Sequence, residues 1–190
     1  MKIITTNTQI TNHFHAAEFA CKGSCNCGKI NIDELFVNRM ELLYNILNRT
    51  PAGCSFIYIN SGYRCAKACN LIKGAFIGDM HNIGAAADFH AVDNNGQHID
   101  SITLCEAAQA AGFGGIAVID AYNVHADDRQ RGDITYQNKK WYGNESTGEN
   151  YMTFKGKSKY SNYIWTEAKK QIKVTIEIDD HKYSGLLDGE

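Results

Sequence analysis

The sequence predicts an α+β domain in which a small antiparallel sheet is flanked by helices. Two observations favour this class: apolar residues recur at helical spacing over 33–49, and short apolar runs typical of strands follow between turn residues. The chain has 190 residues, which suits one domain with a short extension. Hydrophobic residues make up 44% and charged residues 21%, a composition that argues against a disordered chain.

The first half of the chain is dominated by one amphipathic helix. Residues 1–30 show no sustained period beyond a single helical turn. A helix is predicted over 33–49, because Asp33 can cap its start and Pro51 lies just beyond its end. The pattern then predicts, in order, a buried strand over 55–60, a turn over 61–64, a helix over 65–73 and a strand over 85–92.

The next segment adds one helix and two short strands. Residues 101–111 are mostly small residues, and Gly112 can close the helix that they predict. Short apolar runs at 116–119 and 123–126 predict two strands joined by a turn. With the two earlier strands, they would complete the small antiparallel sheet.

The last part of the chain differs in character. Residues 144–162 are rich in glycine and polar side chains and predict a linker or loop. Strict alternation over 173–178, followed by a turn and a second apolar run, predicts a β-hairpin after a helix that begins at residue 163. We therefore expect a main domain over 1–143 and a C-terminal helix and hairpin extension over 163–190.

Charge and hydropathy exclude several classes of partner. The formal net charge is −2, so the chain lacks the general basic character of nucleic-acid binders. No apolar run approaches the ~20 residues that span a bilayer, so we expect no membrane partner. The first eight residues turn polar too early for a signal peptide. We expect a monomer that is synthesised in the cytoplasm.

Cysteines are frequent for a chain of this size. An odd number in a chain without an export signal disfavours a full disulfide framework. The close trio Cys21, Cys25 and Cys27 can hold a metal if a fourth ligand comes from elsewhere, and Cys65 and Cys69 would share one face of a helix. Three alternatives stay open: a structural zinc, a disulfide, or unpaired thiols, which the spacing alone favours. The seven cysteines are Cys21, Cys25, Cys27, Cys54, Cys65, Cys69 and Cys105.

The pattern His81-x6-Asp88 is the sequence's best sign of chemistry. A glycine and three alanines between the two residues let a loop turn tightly into a strand. His125, on a later predicted strand, offers a third ligand. Two histidines and one aspartate leave one position open on a tetrahedral zinc ion, as catalytic zinc sites do. The alternative is an ordinary solvated histidine and a surface aspartate.

Four motifs in a fixed order resemble the zinc D-Ala-D-Ala carboxypeptidase family. That family includes the L-alanyl-D-glutamate endolysins of phages, and its fold is shared by the Hedgehog signalling domain. The resemblance covers about residues 11–143 and implies a zinc peptidase-like catalytic domain with the metal in a groove across the sheet. The motifs are Ser61-Gly62-Tyr63-Arg64, His81-x2-Gly84-x-Ala86-x-Asp88, Gly114-Gly115-Ile116 and His125-x-Asp127-x-Arg129.

The resemblance also implies roles for single residues. His81, Asp88 and His125 match the zinc ligands. Arg64 matches an arginine that contacts the substrate near the scissile carbonyl, where a guanidinium can stabilise an oxyanion or hold a carboxylate. Ser61 belongs to the same motif and is predicted to bind substrate with Arg64. The alternative for Arg64 is a structural salt bridge.

The general base is where the sequence departs from the family. Many members place an acidic residue three positions before the last ligand, and here that position is Tyr122. Asp120 and Asp127 are the nearby carboxylates. We favour Asp120 as the base and Asp127 as a group beside the ligand or the substrate, and the reverse assignment stays open. Tyr122 is predicted to contact the substrate and can aid the oxyanion.

The function that the resemblance implies is zinc-dependent hydrolysis of a peptide bond in the peptidoglycan stem peptide. The D,D-carboxypeptidase and the L-Ala-D-Glu endopeptidase reactions both stay open. The absence of an export signal fits a phage endolysin or a virion wall hydrolase that reaches the cell wall after release. The alternative, suggested by Tyr122, is a zinc-stabilised binding or phage structural module of the same fold without catalysis.

Overall fold

A computed structural model describes residues 1–135, 139–166, 172–178 and 181–187. It confirms the predicted α+β class. The helices are α1 (Glu34–Leu47), α2 (Ala66–Cys69), α3 (Ser101–Ala111) and α4 (Ser161–Thr166), with a 3₁₀ turn at Ala16–Phe19. The strands are β1 (Ile3–Ile4), β2 (Ile32–Asp33), β3 (Phe56–Ser61), β4 (Ala86–Val92), β5 (Gly115–Val118), β6 (Val124–Asp127), β7 (Trp141–Asn144), β8 (Asn150–Tyr151), β9 (Ile172–Ile178) and β10 (His181–Leu187).

Six strands form the main sheet, in the order β3-β4-β6-β5-β7-β8. Every neighbouring pair is antiparallel except β5 and β7, which run parallel. The sequence predicts an antiparallel sheet, and the difference lies in β7, which it does not predict. β7 enters after a long connection rather than a hairpin, as parallel pairing requires. Separate two-stranded sheets pair β1 with β2 and β9 with β10.

Helices α1 and α3 cover one face of the main sheet. Asp33 caps α1 as predicted, by accepting a hydrogen bond from the backbone of Leu35. The stripe at helical spacing on α1 is fully buried, and each such side chain contributes about 1.5–3 kcal/mol to folding. Gly112 ends α3 in the left-handed region, as a glycine at this position can without strain. The buried stripe of α1 comprises Phe36, Met40, Leu43 and Leu47.

The other face of the sheet is left open by the helices. On β4, Phe89 and Ala91 are buried in the core, whereas Asp88 and His90 alternate with them. On β6, Val124 belongs to the core and His125 therefore lies on the open face. The sheet thus carries its polar side chains on one face, and this is where the ligands predicted from the sequence meet.

The segment predicted as a linker or loop, 144–162, is attached to the main domain. It contains β8 and the start of α4, and Phe154 is fully buried in the core. Glu106 of α3 is also fully buried and accepts hydrogen bonds from the backbone of Gly156 and Ser158. The polar composition of the segment does not indicate this attachment, because it depends on only two side chains, Phe154 and Glu106. The proposed boundaries at 143 and 163 remain predictions.

The C-terminal elements agree with the sequence pattern where they are described. Helix α4 begins at residue 161, and the remainder of the predicted helix falls at 167–171, outside the described residues. β9 and β10 form the predicted antiparallel hairpin. Within the described ranges, no helix is long and apolar enough to cross a bilayer.

Candidate active site

Two neighbouring strands and one loop bring three ligand side chains together. Asp88 on β4 lies directly opposite His125 on β6 in the antiparallel register. Directly opposed residues on one face of a sheet have their side chains within contact distance. His81 comes from the loop that precedes β4, and its side chain is buried. Long-range pairing therefore assembles the set that the spacing His81-x6-Asp88 suggests.

The three ligand atoms form a nearly equilateral triangle. The Nε2 atom of His81 lies 3.2 Å from Nδ1 of His125 and 3.3 Å from Oδ1 of Asp88. Nδ1 of His125 lies 2.9 Å from the same Asp88 oxygen. Ligand atoms about 2.0–2.1 Å from a tetrahedral zinc ion are separated by about 3.3 Å, so this donor set fits one zinc with a fourth position left for another group.

A backbone carbonyl fixes the orientation of His81. Its Nδ1 atom lies 2.7 Å from the carbonyl oxygen of Gly62, which can only accept, so Nδ1 carries the proton and Nε2 offers its lone pair. Gly62 is tightly packed, because a Cβ atom there would lie 2.5 Å from the oxygen of Phe19. Gly84, with φ of +80°, would place a Cβ 2.2 Å from the oxygen of Asn31. Both glycines of the motifs are therefore required by close backbone contacts.

Asp127 contacts the side of the His125 ring that faces away from His81 and Asp88. Its Oδ2 atom lies 3.0 Å from Nε2 of His125, and the carboxylate is fully buried. Arg129 donates to both of its oxygens, at 2.9 Å from Nε and 2.6 Å from Nη2. The imidazole ring thus separates Asp127 from Nδ1, the atom that faces the other ligands. This is the arrangement in which a carboxylate orients a metal-binding histidine.

The electrostatics of the site favour charged carboxylates beside cationic groups. Burial opposes the charged form of His125, but hydrogen bonds to Asp127 and Asp88 outweigh it and raise the pKa of His125 to about 10. For Asp88, burial is likewise outweighed by hydrogen bonds from the two histidines, and its pKa falls well below the usual range. The protein groups alone therefore place a positive charge between Asp88 and Asp127, where a metal cation would take over that role.

Arg64 lies against a ligand rather than out in the groove. Its Nη2 atom donates to Oδ2 of Asp88, the oxygen that points away from the histidines. Its Nε atom donates to Oγ of Ser61 at 3.1 Å. The guanidinium therefore joins Ser61 to the Asp88 carboxylate, which places both residues beside the two histidines. A contact of either with substrate remains a prediction.

Asp120 and Tyr122 lie in the turn between β5 and β6. Oδ1 of Asp120 accepts from the backbone of Tyr122 at 2.9 Å and of Asn123 at 2.8 Å, and Oδ2 accepts from the Asn123 side chain at 2.7 Å. The two backbone hydrogen bonds hold the pKa of Asp120 below its usual value. Tyr122 is exposed, and its ring centroid is 5.1 Å from that of His98. Both carboxylate oxygens of Asp120 are thus used to form the turn.

A row of rings continues from the ligands along the open face. His98 is 5.4 Å from His90, and His90 stacks on Tyr58 at 4.9 Å between centroids. With Tyr122, these rings form what we call the aromatic row (Tyr58, His90, His98 and Tyr122). The alternation of β4 predicts that His90 lies on the same face of the strand as Asp88. Nothing in the sequence indicates that His98 lies near them.

A cleft of about 160 Å³ borders the two histidines of the ligand set. Its lining includes His81, His125, Asp127, Trp141 and Glu145. Glu145 is exposed and follows β7 directly. The sequence does not single it out, because β7 is not predicted and its parallel pairing with β5 is what brings Glu145 to the cleft.

Comparisons with known proteins bear on the same part of the chain. A family model described as Peptidase M15 matches residues 12–127, which is more than half of the chain and contains His81, Asp88 and His125. No curated protein and no solved structure matches the chain.

Proposed function

The chain belongs to the peptidase M15 family, the zinc D-Ala-D-Ala carboxypeptidase family, and from that premise we propose that it hydrolyses a peptide bond in bacterial cell-wall peptidoglycan. The observation that carries the proposal is the convergence of one aspartate and two histidine ligand atoms, with the two histidines lining a cleft. Three protein ligands with an open fourth position are typical of catalytic zinc, whereas structural zinc has four protein ligands.

His81, Asp88 and His125 would hold the zinc ion. Zinc in such a site supplies a Lewis acid that activates water and polarises a carbonyl group. The residues around it keep the ligands in place: the carbonyl of Gly62 orients His81, and Asp127 orients His125. We assign Arg64 a positioning role on Asp88, with the substrate contact implied by the family as a second part of the same proposal.

The proton acceptor is the part of the mechanism that the family pattern leaves open. A general base needs an oxygen within reach of the attacking water and free to take its proton. Asp127 also lines the cleft, but Arg129 occupies both of its oxygens, and the imidazole ring separates it from Nδ1 of His125. The backbone hydrogen bonds of its turn hold the pKa of Asp120 below its usual value, which weakens it as a base. Glu145 is exposed and lines the cleft with the two histidines. We therefore propose Glu145 as the base, in place of the preference for Asp120 drawn from the sequence.

The open face supports a peptide as the substrate. The aromatic row extends the site beyond the ligands with flat rings that pack against the aliphatic and amide groups of an extended chain. A stem peptide of peptidoglycan is such a chain. The setting of a phage endolysin or a virion wall hydrolase, acting at the wall after release, is supported by the motif resemblance alone and forms part of the proposal.

The experiment is digestion of purified peptidoglycan followed by mass analysis of the muropeptides. We expect the full chain to release fragments that identify the bond, either D-Ala-D-Ala or L-Ala-D-Glu. His81→Ala should abolish release and lose zinc, because the site has no spare ligand. His13→Ala is the matched control, since His13 pairs with Glu41 and stacks on Tyr44 in the N-terminal segment. Intact muropeptides with zinc fully bound would refute hydrolysis.

A second function is favoured by one observation, the tyrosine at position 122 where many family members carry the acid. A zinc-stabilised module that binds peptidoglycan without cutting it would need no base. Co-sedimentation with intact walls, without loss of turbidity, would then be the result. The two functions give opposite outcomes in the same digestion, so one preparation of protein and walls separates them.

A further inference from the structure

Four cysteine sulfurs converge at a place separate from the histidine site. The Sγ atom of Cys25 lies 3.5 Å from those of Cys21, Cys27 and Cys65. All four sulfurs lie within 4.8 Å of one another. Sulfurs bound at about 2.3 Å to a tetrahedral zinc ion are separated by about 3.8 Å, which falls inside this range. All four thiols are free, so no disulfide competes for them in the structure.

The backbone of residues 21–29 folds around these sulfurs. Asn26 and Gly28 have positive φ angles, of 49° and 59°, which turn the chain sharply on both sides of Cys27. The backbone N–H of Cys21 donates to the carbonyl of Lys29 at 2.8 Å and closes the loop. The loop is therefore held in a shape that brings its three thiols together.

The fourth sulfur comes from a distant part of the chain. Cys65 directly follows Arg64, and its sulfur lies 3.5 Å from that of Cys25. Gly23 lies so near α2 that a Cβ atom there would meet Cβ of Ala68 at 2.9 Å. The packing of the loop against α2 therefore brings Cys65 to the other three sulfurs.

We propose that Cys21, Cys25, Cys27 and Cys65 bind a second zinc ion in a structural site. Four sulfur ligands in tetrahedral reach are the donor set of structural zinc, and they leave no position for substrate or water. Binding releases the thiol protons to solvent, so the ion sits among four thiolates. The site is independent of whether the histidine site hydrolyses peptides.

This ion would join the N-terminal loop to the turn that supports the active site. The N–H of Arg64 donates to the carbonyl of His81 at 3.2 Å, and the N–H of Tyr63 donates to the carbonyl of Phe19 at 2.8 Å. Cys65 continues the same turn. A metal held by Cys65 and the loop therefore restrains the backbone on which Arg64 and His81 depend.

The test is the zinc content of the purified full chain, measured by mass spectrometry of the metal under reducing, oxygen-free conditions. We expect two zinc ions per chain, one in Cys25→Ser and one in His81→Ala. Cys105→Ala is the matched control, because Cys105 is buried on α3 away from the cluster, and it should keep both ions. One zinc in the wild type, unchanged in Cys25→Ser, would overturn the proposal.

Two further measurements guard against a variant that does not fold. Cys27→Ser removes the exposed cysteine of the cluster, so its loss of one zinc reflects a lost ligand rather than lost packing. Wild-type protein loaded with Co²⁺ needs no substitution: strong sulfur-to-metal charge-transfer absorption supports four-thiolate binding, and its absence contradicts it. A mass two hydrogens lighter in the purified chain, with the cluster thiols unreactive, would show a disulfide and equally refute the zinc site.

Discussion

Replacing Asp127 with asparagine tests how the structure holds His125. The carboxylate accepts a hydrogen bond from Nε2 of His125 and is contacted by three N–H groups of Arg129, namely the backbone N–H, Nε and Nη2. Asparagine has almost the same shape but only one accepting oxygen. If that oxygen faces His125, the amide nitrogen meets the backbone N–H of Arg129. If it is turned round, the nitrogen meets the imidazole N–H, so neither orientation satisfies all donors.

The magnitude follows from the contact that is lost. A hydrogen bond to a charged group contributes about 1.5–3 kcal/mol, and removal of a carboxylate behind a ligand histidine weakens metal binding about 10–100-fold. A change of 10–100-fold corresponds to about 1.4–2.7 kcal/mol, so the two figures agree. We expect Asp127→Asn to bind zinc at the histidine site with an affinity reduced by that factor.

The assay measures the zinc affinity of Asp127→Asn by competition with a chelator, and His81→Ala identifies which zinc ion belongs to the histidine site. Hydrolysis rates are then measured at increasing concentrations of free zinc. Asp127→Asn should recover much of its rate when zinc is in excess. Asp93→Asn is the matched control, because Asp93 accepts backbone hydrogen bonds from Asn95 and Gln97 in a turn that asparagine can keep. Full zinc occupancy with little activity would refute the reasoning and make Asp127 a participant in proton transfer.

Two further substitutions examine the groups beside the ligands. Arg64→Lys should keep zinc but lower kcat/KM by an amount that corresponds to about 2–4 kcal/mol of transition-state stabilisation, because an ammonium group cannot bridge Asp88 and Ser61 as the planar guanidinium does. A wild-type kcat/KM in steady-state kinetics would show that the pairing is only structural. Glu145→Gln should cost about 10²–10⁴ in rate with zinc bound, whereas Asp120→Asn should change the rate little, and the opposite pattern in the same kinetic and zinc measurements would make Asp120 the base.

The parts of the fold that the sequence predicts are those set by local patterns. Helix α1 follows from a buried stripe at helical spacing and a capping aspartate, and α3 from small residues closed by Gly112. Strand β7 has no such signal: four residues with a glycine become a strand only through pairing with β5. Phe154 is similar, because its burial depends on a docking site made by distant residues. Long-range pairing therefore accounts for what the sequence leaves open.

The same distinction separates the two metal sites. The spacing of His81 and Asp88 around small residues suggests a ligand pair, and the family resemblance implies that pair together with His125. The cysteine trio points to a metal only in part, since its fourth member lies forty residues away from Cys25 and is supplied by tertiary contact. Glu145 is missed for the same reason, because it enters the cleft at the end of an unpredicted strand.

The turn over residues 61–65 places both sites on one piece of backbone. The Gly62 carbonyl orients His81, Arg64 pairs with Asp88, and Cys65 belongs to the sulfur cluster. If zinc at the cysteines restrains this turn, it must also tighten zinc at the histidines. Coupling between two binding events is reciprocal, so the histidine-site zinc would tighten the cysteine site by the same factor. Equal affinities with the other site filled or empty would instead show that the backbone of the turn is already rigid without either ion.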